Sequence, residues 1–502
     1  MPVAATLVLC WIALVAAPVW AADPLRPNVV LILADDLGWG EVGCYGQRKI
    51  PTPHIDRLAA EGVRFTQFYA GAPVCAPSRC VLMTGLHLGH AEIRDNRAAR
   101  VRFPAFTEGQ HPLSAAARTF AQVFREAGYA TGAMGKWGLG PVGSTGDPQA
   151  KGFDLFFGYN CQSVAHSSYP AALWRNAERV PLNERPVPGH VPPVTGAVDP
   201  AAYVGETYAS RPIVAEAERF IADHAGGPFL LYLPFTEPHL AMHPPPETVD
   251  RFPRDWDDGR EPYRGENDYL PHPRPRAGYA AMIAELDDHV GRILAALERA
   301  GVADRTLVVV TSDNGPTHAA GRDRRFHVGG VDVEFFASTG GLRGRKGSVY
   351  EGGLRVPFIA RLPGVIPPGR VCAVPASFAD LFPTLCAAAR LPVPGGLDGA
   401  SLWPLLTATA TTLDSERPLV WVFAGYGGQV AVRQGDMKVV RRDLATKRSA
   451  DWEVYDLAAD PRETTNLAAS RPDAIAAAEA VLRRETAANT EFPVPLPDVS
   501  PP

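Results

Sequence analysis

Residues 28–36 read "NVVLILADD". The run from Asn28 to Leu33 is almost wholly apolar and rich in β-branched residues, and it stops at once on two aspartates. A strand that alternated apolar and polar residues would have one wet face; an unbroken run reads as a strand buried on both faces, as in a parallel sheet. Three more stretches have the same character: "ATGAM" (Ala130 to Met134), "FLLYL" (Phe229 to Leu233) and "TLVVVT" (Thr306 to Thr311). They alternate with helical patterns, the plainest running from Arg276 to Ala300, where Tyr279, Met282, Ile283, Leu286, Val290, Ile293, Leu294 and Leu297 form one apolar stripe. The expected fold class is α/β, a large mixed, mostly parallel sheet sandwiched by helices.

The polar residues at the strand ends matter more than the strands. Asp35 and Asp36 come directly after the first, Lys136 after the second, Thr236 to His239 after the third, Asp313 and Asn314 after the fourth. One Asp or Asn after a strand is usually a helix cap or a turn. Two acidic pairs, a lysine and a histidine at the same sheet edge point to a site, because the carboxyl ends of parallel strands line the ligand crevice. Asp35, Asp36, Asp313 and Asn314 offer four side-chain oxygens and no soft ligand, which suits a hard divalent cation, Ca²⁺ in preference to Mg²⁺, and not zinc. An anionic ligand beside these carboxylates also needs positive groups; Arg79, Lys136 and Lys346 supply them. Lys346 lies in the glycine-rich "GGLRGRKGSVYEGGLRVPFIA", whose bland alternative is a solvated basic loop.

The bulk composition excludes several function classes. At 502 residues, 46% hydrophobic and 21% charged, the chain can bury more than one core. Its formal charge of −5 gives no polybasic face, so nucleic acid is not an expected partner. The start has an apolar stretch from about Val3 to Val19, with Val19 and Ala21 placed for cleavage after Ala21, and reads as a secretory signal. The missing positive residue near the N-terminus leaves an uncleaved anchor as the alternative. No later run is long enough to span a bilayer, so the mature chain is expected to have no stable membrane span and to be periplasmic, extracellular or otherwise in a secretory pathway. Cys44, Cys75, Cys80, Cys161, Cys372 and Cys386 are scattered, compatible with one or two bridges but not with a disulfide scaffold. The expected organisation is a signal peptide (1–22), a catalytic domain (23–400), and a C-terminal α+β subdomain (401–502) with an antiparallel sheet. Two proline-rich tracts, Pro181 to Pro200 and the stretch "HPPPETVDRFPRDWDDGREPYRGENDYLPHPRPR", read as long surface excursions near the sheet edge.

Residues 72–85, "APVCAPSRCVLMTG", hold the remaining candidate. Pro77 is favoured in the first turn of a helix and the next residues continue helically, so Cys75 falls at a helix N-terminus, where amides and the dipole favour anions. Arg79 is one turn later on the same face.

With these residues assembled, the chain resembles the type I, formylglycine-dependent sulfatases of the alkaline phosphatase superfamily. "PNVVLILADDLGWGEVGCYG", "CAPSRCVLMTG", "GKWGLG", "TSDNG" and "LRGRKGSVYEGGLRVP" stand in that family's order and spacing from about Pro27 onward. The resemblance implies an alkaline phosphatase-like sheet and oxidation of Cys75 to formylglycine by a formylglycine-generating or anaerobic maturation enzyme. It further implies a hydrated formylglycine that, with the metal of Asp35, Asp36, Asp313 and Asn314, attacks the sulfur of a sulfate ester. Residue 75 itself would be a metal ligand. His239 and Lys346 match residues near the leaving oxygen, and Arg79 and Lys136 match residues that hold residue 75 and the sulfate.

One position departs. The family usually has histidine after Lys-Trp, the presumed base of the last proton transfer, and here Gly138 stands in its place. Another group serves, or turnover is slow, or the protein binds without turnover; His166 is one substitute, or a substrate contact. The expected substrate is a sulfated carbohydrate of galactose or N-acetylgalactosamine type, argued from residues 152–175 and their aromatics Phe153, Phe156, Phe157, Tyr159, Tyr169 and Trp174, which equally suit a core. The competing functions are a phosphatase or phosphonate monoester hydrolase, and a non-catalytic sulfated-glycan-binding protein.

Overall fold

The computed structural model describes residues 26–267, 269–318, 328–414, 417–446 and 449–496. The signal peptide expected over residues 1–22 lies outside the described residues. Eleven strands make the main sheet: β1 (Asn28–Ala34), β2 (Val63–Tyr69), β3 (Ala130–Lys136), β4 (Leu155–Tyr159), β5 (Ala172–Arg175), β6 (Glu178–Pro181), β7 (Phe229–Pro234), β8 (Thr306–Ser312), β9 (Arg355–Arg361), β10 (Arg370–Cys372) and β11 (Ala376–Ser377). Their order is β10-β2-β9-β8-β1-β7-β3-β4-β5-β6, with β11 beside β2. The four strands read from sequence, β8, β1, β7 and β3, lie side by side at the centre, all parallel.

Their apolar runs are continuous because each strand serves two cores. Successive β1 side chains point to opposite faces, so Val29, Leu31 and Leu33 enter one cluster and Val30, Ile32 and Ala34 the other. The long helix Pro275–Arg299 covers the second face with the predicted stripe, in which Tyr279, Ile283, Leu286, Val290, Ile293 and Leu297 are all buried. The sheet is mixed because β9 runs antiparallel between β8 and β2, and β5 and β6 close the far edge as antiparallel strands. Nothing in the composition of "RVPFIAR" distinguishes it from a parallel strand; its direction is set by the chain path that returns to it.

The aromatic segment 152–175 is resolved in favour of packing. Phe153, Phe156, Phe157, Tyr159 and Tyr169 are buried, and the first four belong to the two main clusters because β4 is sandwiched like its neighbours. Trp174 packs on the first cluster and its indole N–H donates to Glu108 at 3.0 Å. The five buried rings do not offer faces to a sugar. All six described cysteines are free, so the one or two bridges allowed by the sequence are not formed among the described residues.

The C-terminal region forms a separate antiparallel sheet, β12 (Leu419–Phe423), β13 (Gln429–Gln434), β14 (Met437–Arg441) and β15 (Glu453–Asp456), in that order. The helix Pro472–Glu485 covers one face through Ala478, Val481 and Leu482, while Trp421, Phe423, Ala431, Val440 and Tyr455 on the other face join the large core. The junction also carries buried charge. Lys438 Nζ lies 2.8 Å from Glu351 and 2.9 Å from Glu463, and the three side chains are fully buried. Removing one member of such a group strands the others without compensation. Lys438→Met is therefore expected to destabilise the fold by about 3–5 kcal/mol in urea unfolding, and a cost below about 1 kcal/mol would show that the group behaves like a surface pair.

Candidate active site

Strands β1 and β8 pair in parallel with Ala34 opposite Ser312, so the residues just beyond them meet. Asp313 N–H donates to Ala34 O at 3.0 Å, and Asp36 N–H donates to Asp313 Oδ1 at 3.2 Å. Asp36 has φ 65°, a left-handed conformation that costs energy in a residue with a Cβ, and its carboxylate accepts from Asn314 and Lys346. Asp35, Asp36, Asp313 and Asn314 are all at most 2% exposed.

Three positive side chains reach this group from different elements. Arg79, on the helix Cys75–Thr84, donates from Nε and a terminal nitrogen to Asp313 Oδ2 at 3.0 and 2.8 Å, and it also bonds the Lys136 carbonyl. Lys136, at the end of β3, pairs with Asp35 and lies 3.7 Å from Cys75 Sγ. Lys346 Nζ sits 2.7 and 2.8 Å from the two Asp36 oxygens. Burial alone would raise the Asp35 carboxyl, but Lys136, His239, Arg79 and Lys346 together hold it far below the usual range. Burial and then the Asp35 charge push Asp313 the other way, up to about 6, against the pull of Arg79. Crowded buried carboxylates of this kind favour a cation among them.

One atom supports that directly. Asn314 donates through Nδ2 to Asp36 Oδ1 at 2.7 Å and to Gly315 O at 2.9 Å, yet its buried Oδ1 accepts from no described residue. An acceptor oxygen without a donor beside three carboxylates fits a hard divalent cation. Asp35, Asp36, Cys75 and His239 also bring ligand atoms within 4.8 Å of one another.

Cys75 opens its helix and is 2% exposed, with Sγ 3.4 Å from Asp35 Oδ1. Burial, and next the Asp35 charge, push its thiol well above the usual range. The sequence places free amides around residue 75 for an anion. The structure leaves few: Pro77 has no N–H, Ala76 N–H donates to Asn96 Oδ1 at 3.0 Å, and Ser78 N–H to Val74 O at 3.3 Å. An anion here meets side-chain cations rather than an amide nest.

His239 Nδ1–H donates to Leu240 O at 2.6 Å, which leaves Nε2 as an acceptor 3.7 Å from Asp36 Oδ2. His166 stacks on His239 at 4.8 Å, and its Nδ1 is 2.7 Å from His190 Nε2. Burial holds both His166 and His239 well below the ordinary imidazole range, with the charges of Lys136 and Lys346 adding to it, so both are neutral near pH 7. His190 and Tyr269, from the two proline-rich excursions, pack against His166. Sequence reasoning gives those tracts a site-shaping role without naming these residues. It misses His318 and Tyr426 altogether. Their rings stack at 5.5 Å and share a hydrogen bond, and Tyr426 lies against Gly347, beside Lys346. A tyrosine from a turn of the second sheet has no sequence signal that ties it to the first.

Residues 27–391 match the sulfatase family model, and residues 345–486 match the model of the N-sulphoglucosamine sulphohydrolase C-terminal region. The chain belongs to the sulfatase family. It is similar to the mouse (Mus musculus) steryl-sulfatase, 34% identical over 78% of this chain and 67% of the relative, and to the N-acetylgalactosamine-6-O-sulfatase of Bacteroides thetaiotaomicron, 30% identical over 90% and 91%. A solved Bacteroides thetaiotaomicron structure concerned with metabolism of multiple glycosaminoglycans superposes with a TM-score of 0.69 at 26% identity, covering 91% of this chain and 99% of the other. The sulfatase is thus a sulfuric ester hydrolase on the fold described.

Asp95 is another group of this sulfatase without a sequence signal. It sits so close to Gly425 that a Cβ there would come within 2.4 Å of its carboxylate, and burial pushes its carboxyl from 3.8 up to about 6. The folded state therefore holds the proton more tightly than the unfolded state, so this group's contribution is most favourable below pH 3.8 and is lost as pH rises through 6. Asp95→Asn is expected to raise stability by about 1–2 kcal/mol at pH 7.5 and to leave it unchanged near the unfolded-state value; thermal unfolding at both pH values measures this, and a loss of stability at pH 7.5 counts against it.

Proposed function

We propose that this sulfatase removes sulfate from a galactose- or N-acetylgalactosamine-type carbohydrate, using formylglycine formed from Cys75 and a Ca²⁺ ion held by Asp35, Asp36, Asp313, Asn314 and residue 75. The observation that carries the reading is the position of Cys75, within 3.4 Å of Asp35 Oδ1 and 3.7 Å of Lys136 Nζ, in a buried cluster of carboxylates and cations. As a thiol it is poorly placed to react, since burial keeps it protonated. Oxidised to the aldehyde and hydrated, residue 75 supplies one hydroxyl to attack sulfur and a second whose deprotonation expels sulfate. A dication held by Asp35, Asp36, Asp313 and Asn314 would supply Lewis-acid stabilisation of the negative charge on the sulfate ester.

The chain's own groups divide the remaining work. Arg79, anchored by Asp313 and the Lys136 carbonyl, and Lys136 itself orient residue 75 and offset the sulfate charge. Lys346 and His239, both beside Asp36, are assigned to the departing alcohol oxygen. Burial lowers Lys346, but Asp36, together with Asp35 and its other neighbours, more than reverses this and keeps the ammonium charged, so it stabilises the departing oxygen. His239 is neutral in the free enzyme, and the charge of a bound sulfate favours its protonation at Nε2, from which it can serve as general acid. His166 is assigned to the substrate, stacked on His239.

Two supports favour a sugar over a steroid. The N-acetylgalactosamine-6-O-sulfatase matches along 91% of its length, against 67% for the steryl-sulfatase. The crevice is flanked by His166, His190, Tyr269, His318 and Tyr426, groups that hydrogen-bond hydroxyls. The same reading includes export through residues 1–22 and maturation by a formylglycine-forming enzyme. It also includes the division at residues 400 and 401, consistent with the separate sheet that starts at Leu419. No helix of the described residues is long and apolar enough to cross a membrane. Gly138 is the observation that favours a second reading, a sulfated-glycan-binding protein without turnover.

Mass spectrometry of the peptide holding residue 75 is expected to show an aldehyde in place of the thiol, and Cys75→Ala to abolish turnover. The matured chain is expected to cleave a chromogenic sulfate faster than the matching phosphate; faster phosphate cleavage selects the phosphatase reading, and tight sugar binding without release of sulfate selects the binding protein. Chelation is expected to remove activity and Ca²⁺ to restore it, while Asn314→Leu weakens Ca²⁺ affinity by about tenfold or more; unchanged Ca²⁺ binding by calorimetry would remove Asn314 from the ligand set.

A further inference from the structure

Gly138 has φ 76°, and a Cβ built there would stand 2.6 Å from Gln162 Nε2, 2.9 Å from its Cγ and 3.1 Å from its Cδ. The space a side chain at 138 would enter is filled by the carboxamide of Gln162. That residue is 6% exposed, and its Nε2 has no hydrogen-bond partner among the described residues. Its backbone is fixed, since Gln162 N–H donates to Gln110 Oε1 at 2.7 Å. A buried N–H₂ without an acceptor is costly and uncommon, so the group calls for an explanation.

Its place in the fold indicates which ligand. Lys136 and Tyr159 are in register at the ends of β3 and β4, and Trp137 N–H donates to Tyr159 O at 2.9 Å, so the segments leaving the two strands run together. One carries Lys136, whose Nζ is 3.7 Å from Cys75 Sγ, and then Gly138; the other carries Asn160 and Gln162. Asn160 is also buried, and its Nδ2 likewise lacks a partner among the described residues. Two neutral donors thus stand on the segments that leave the strand ends at Lys136 and Tyr159.

We propose that Gln162, whose carboxamide occupies the space that Gly138 leaves by having no side chain, is a sulfate-positioning residue whose Nε2 donates to a sulfate oxygen of the bound ester. The inference rests on the sulfatase reading and goes beyond it: the departure at residue 138 is matched by a compensating donor rather than an empty place. A carboxamide neither gives nor takes a proton in the working range, so Gln162 orients the sulfate and the proton transfers fall to other groups.

The test is calorimetric titration of the full chain with inorganic sulfate in the presence of Ca²⁺, alongside steady-state turnover of a chromogenic sulfate. Gln162→Leu is expected to weaken sulfate binding by about ten- to a hundredfold, the range for a hydrogen bond to a charged group, with the melting temperature retained. Gln162→Glu, close to isosteric, keeps the assay available if the leucine variant does not fold. It should bind sulfate poorly at neutral pH, where its carboxylate repels the anion, and recover as pH falls and the acid becomes a donor. A merely structural role would not produce that pH dependence. Sulfate binding as tight as wild type in Gln162→Leu, or a Gln162→Glu variant whose binding has the wild-type pH profile, overturns the inference. A wild-type chain that turns over no sulfate ester overturns the proposed function instead, and the sulfate titration still judges Gln162.

Discussion

Buried like charge is the constraint around which this molecule is arranged. Asp35, Asp36 and Asp313 meet where β1 and β8 end, and none of them reaches solvent to any useful extent. Carboxylates in such surroundings repel one another and lose hydration, so they persist only with positive partners. Arg79, Lys136 and Lys346 answer them from a helix, a strand end and a glycine-rich loop. The orphan oxygen of Asn314 marks where a further cation fits.

The sheet makes this cluster possible at modest cost. Its central strands are parallel, so their carboxyl ends coincide, and each is sealed by apolar packing on both faces. That rigidity lets Asp36 be held in a left-handed conformation and lets Cys75 be brought against Asp35. The second sheet is more than an appendage. It shares the large core, joins the first through Lys438, Glu351 and Glu463, and sends Tyr426 to the rim of the crevice.

The site itself is divided in character. Its floor is ionic, while its wall is a set of imidazoles and phenols in which His166 and His239 are kept neutral by burial. A charged floor with neutral hydrogen-bonding walls suits an anionic group attached to a hydroxyl-bearing body. Gln162 extends this pattern to the strand edge, where a neutral donor fills the space above Gly138.

The sequence by itself determined the centre of the sheet, the stripe of the long helix, and the membership of the ionic cluster. Those features are local: unbroken apolar runs, a three-to-four-residue period, and polar residues directly after strands, each legible in Asn28 to Asp36 or Thr306 to Asn314 without knowledge of neighbours. Only the tertiary structure decided the direction of β9, the burial of Phe153, Phe156 and Tyr169, the loss of the helix amides to Asn96 and Val74, and the approach of His190, Tyr269, His318, Tyr426 and Gln162. These depend on contacts between segments that are distant in the chain, and a residue's type carries no record of which distant segment it will meet. Gln162 is the clearest case, because its meaning comes from a glycine 24 positions earlier whose missing side chain makes room for it.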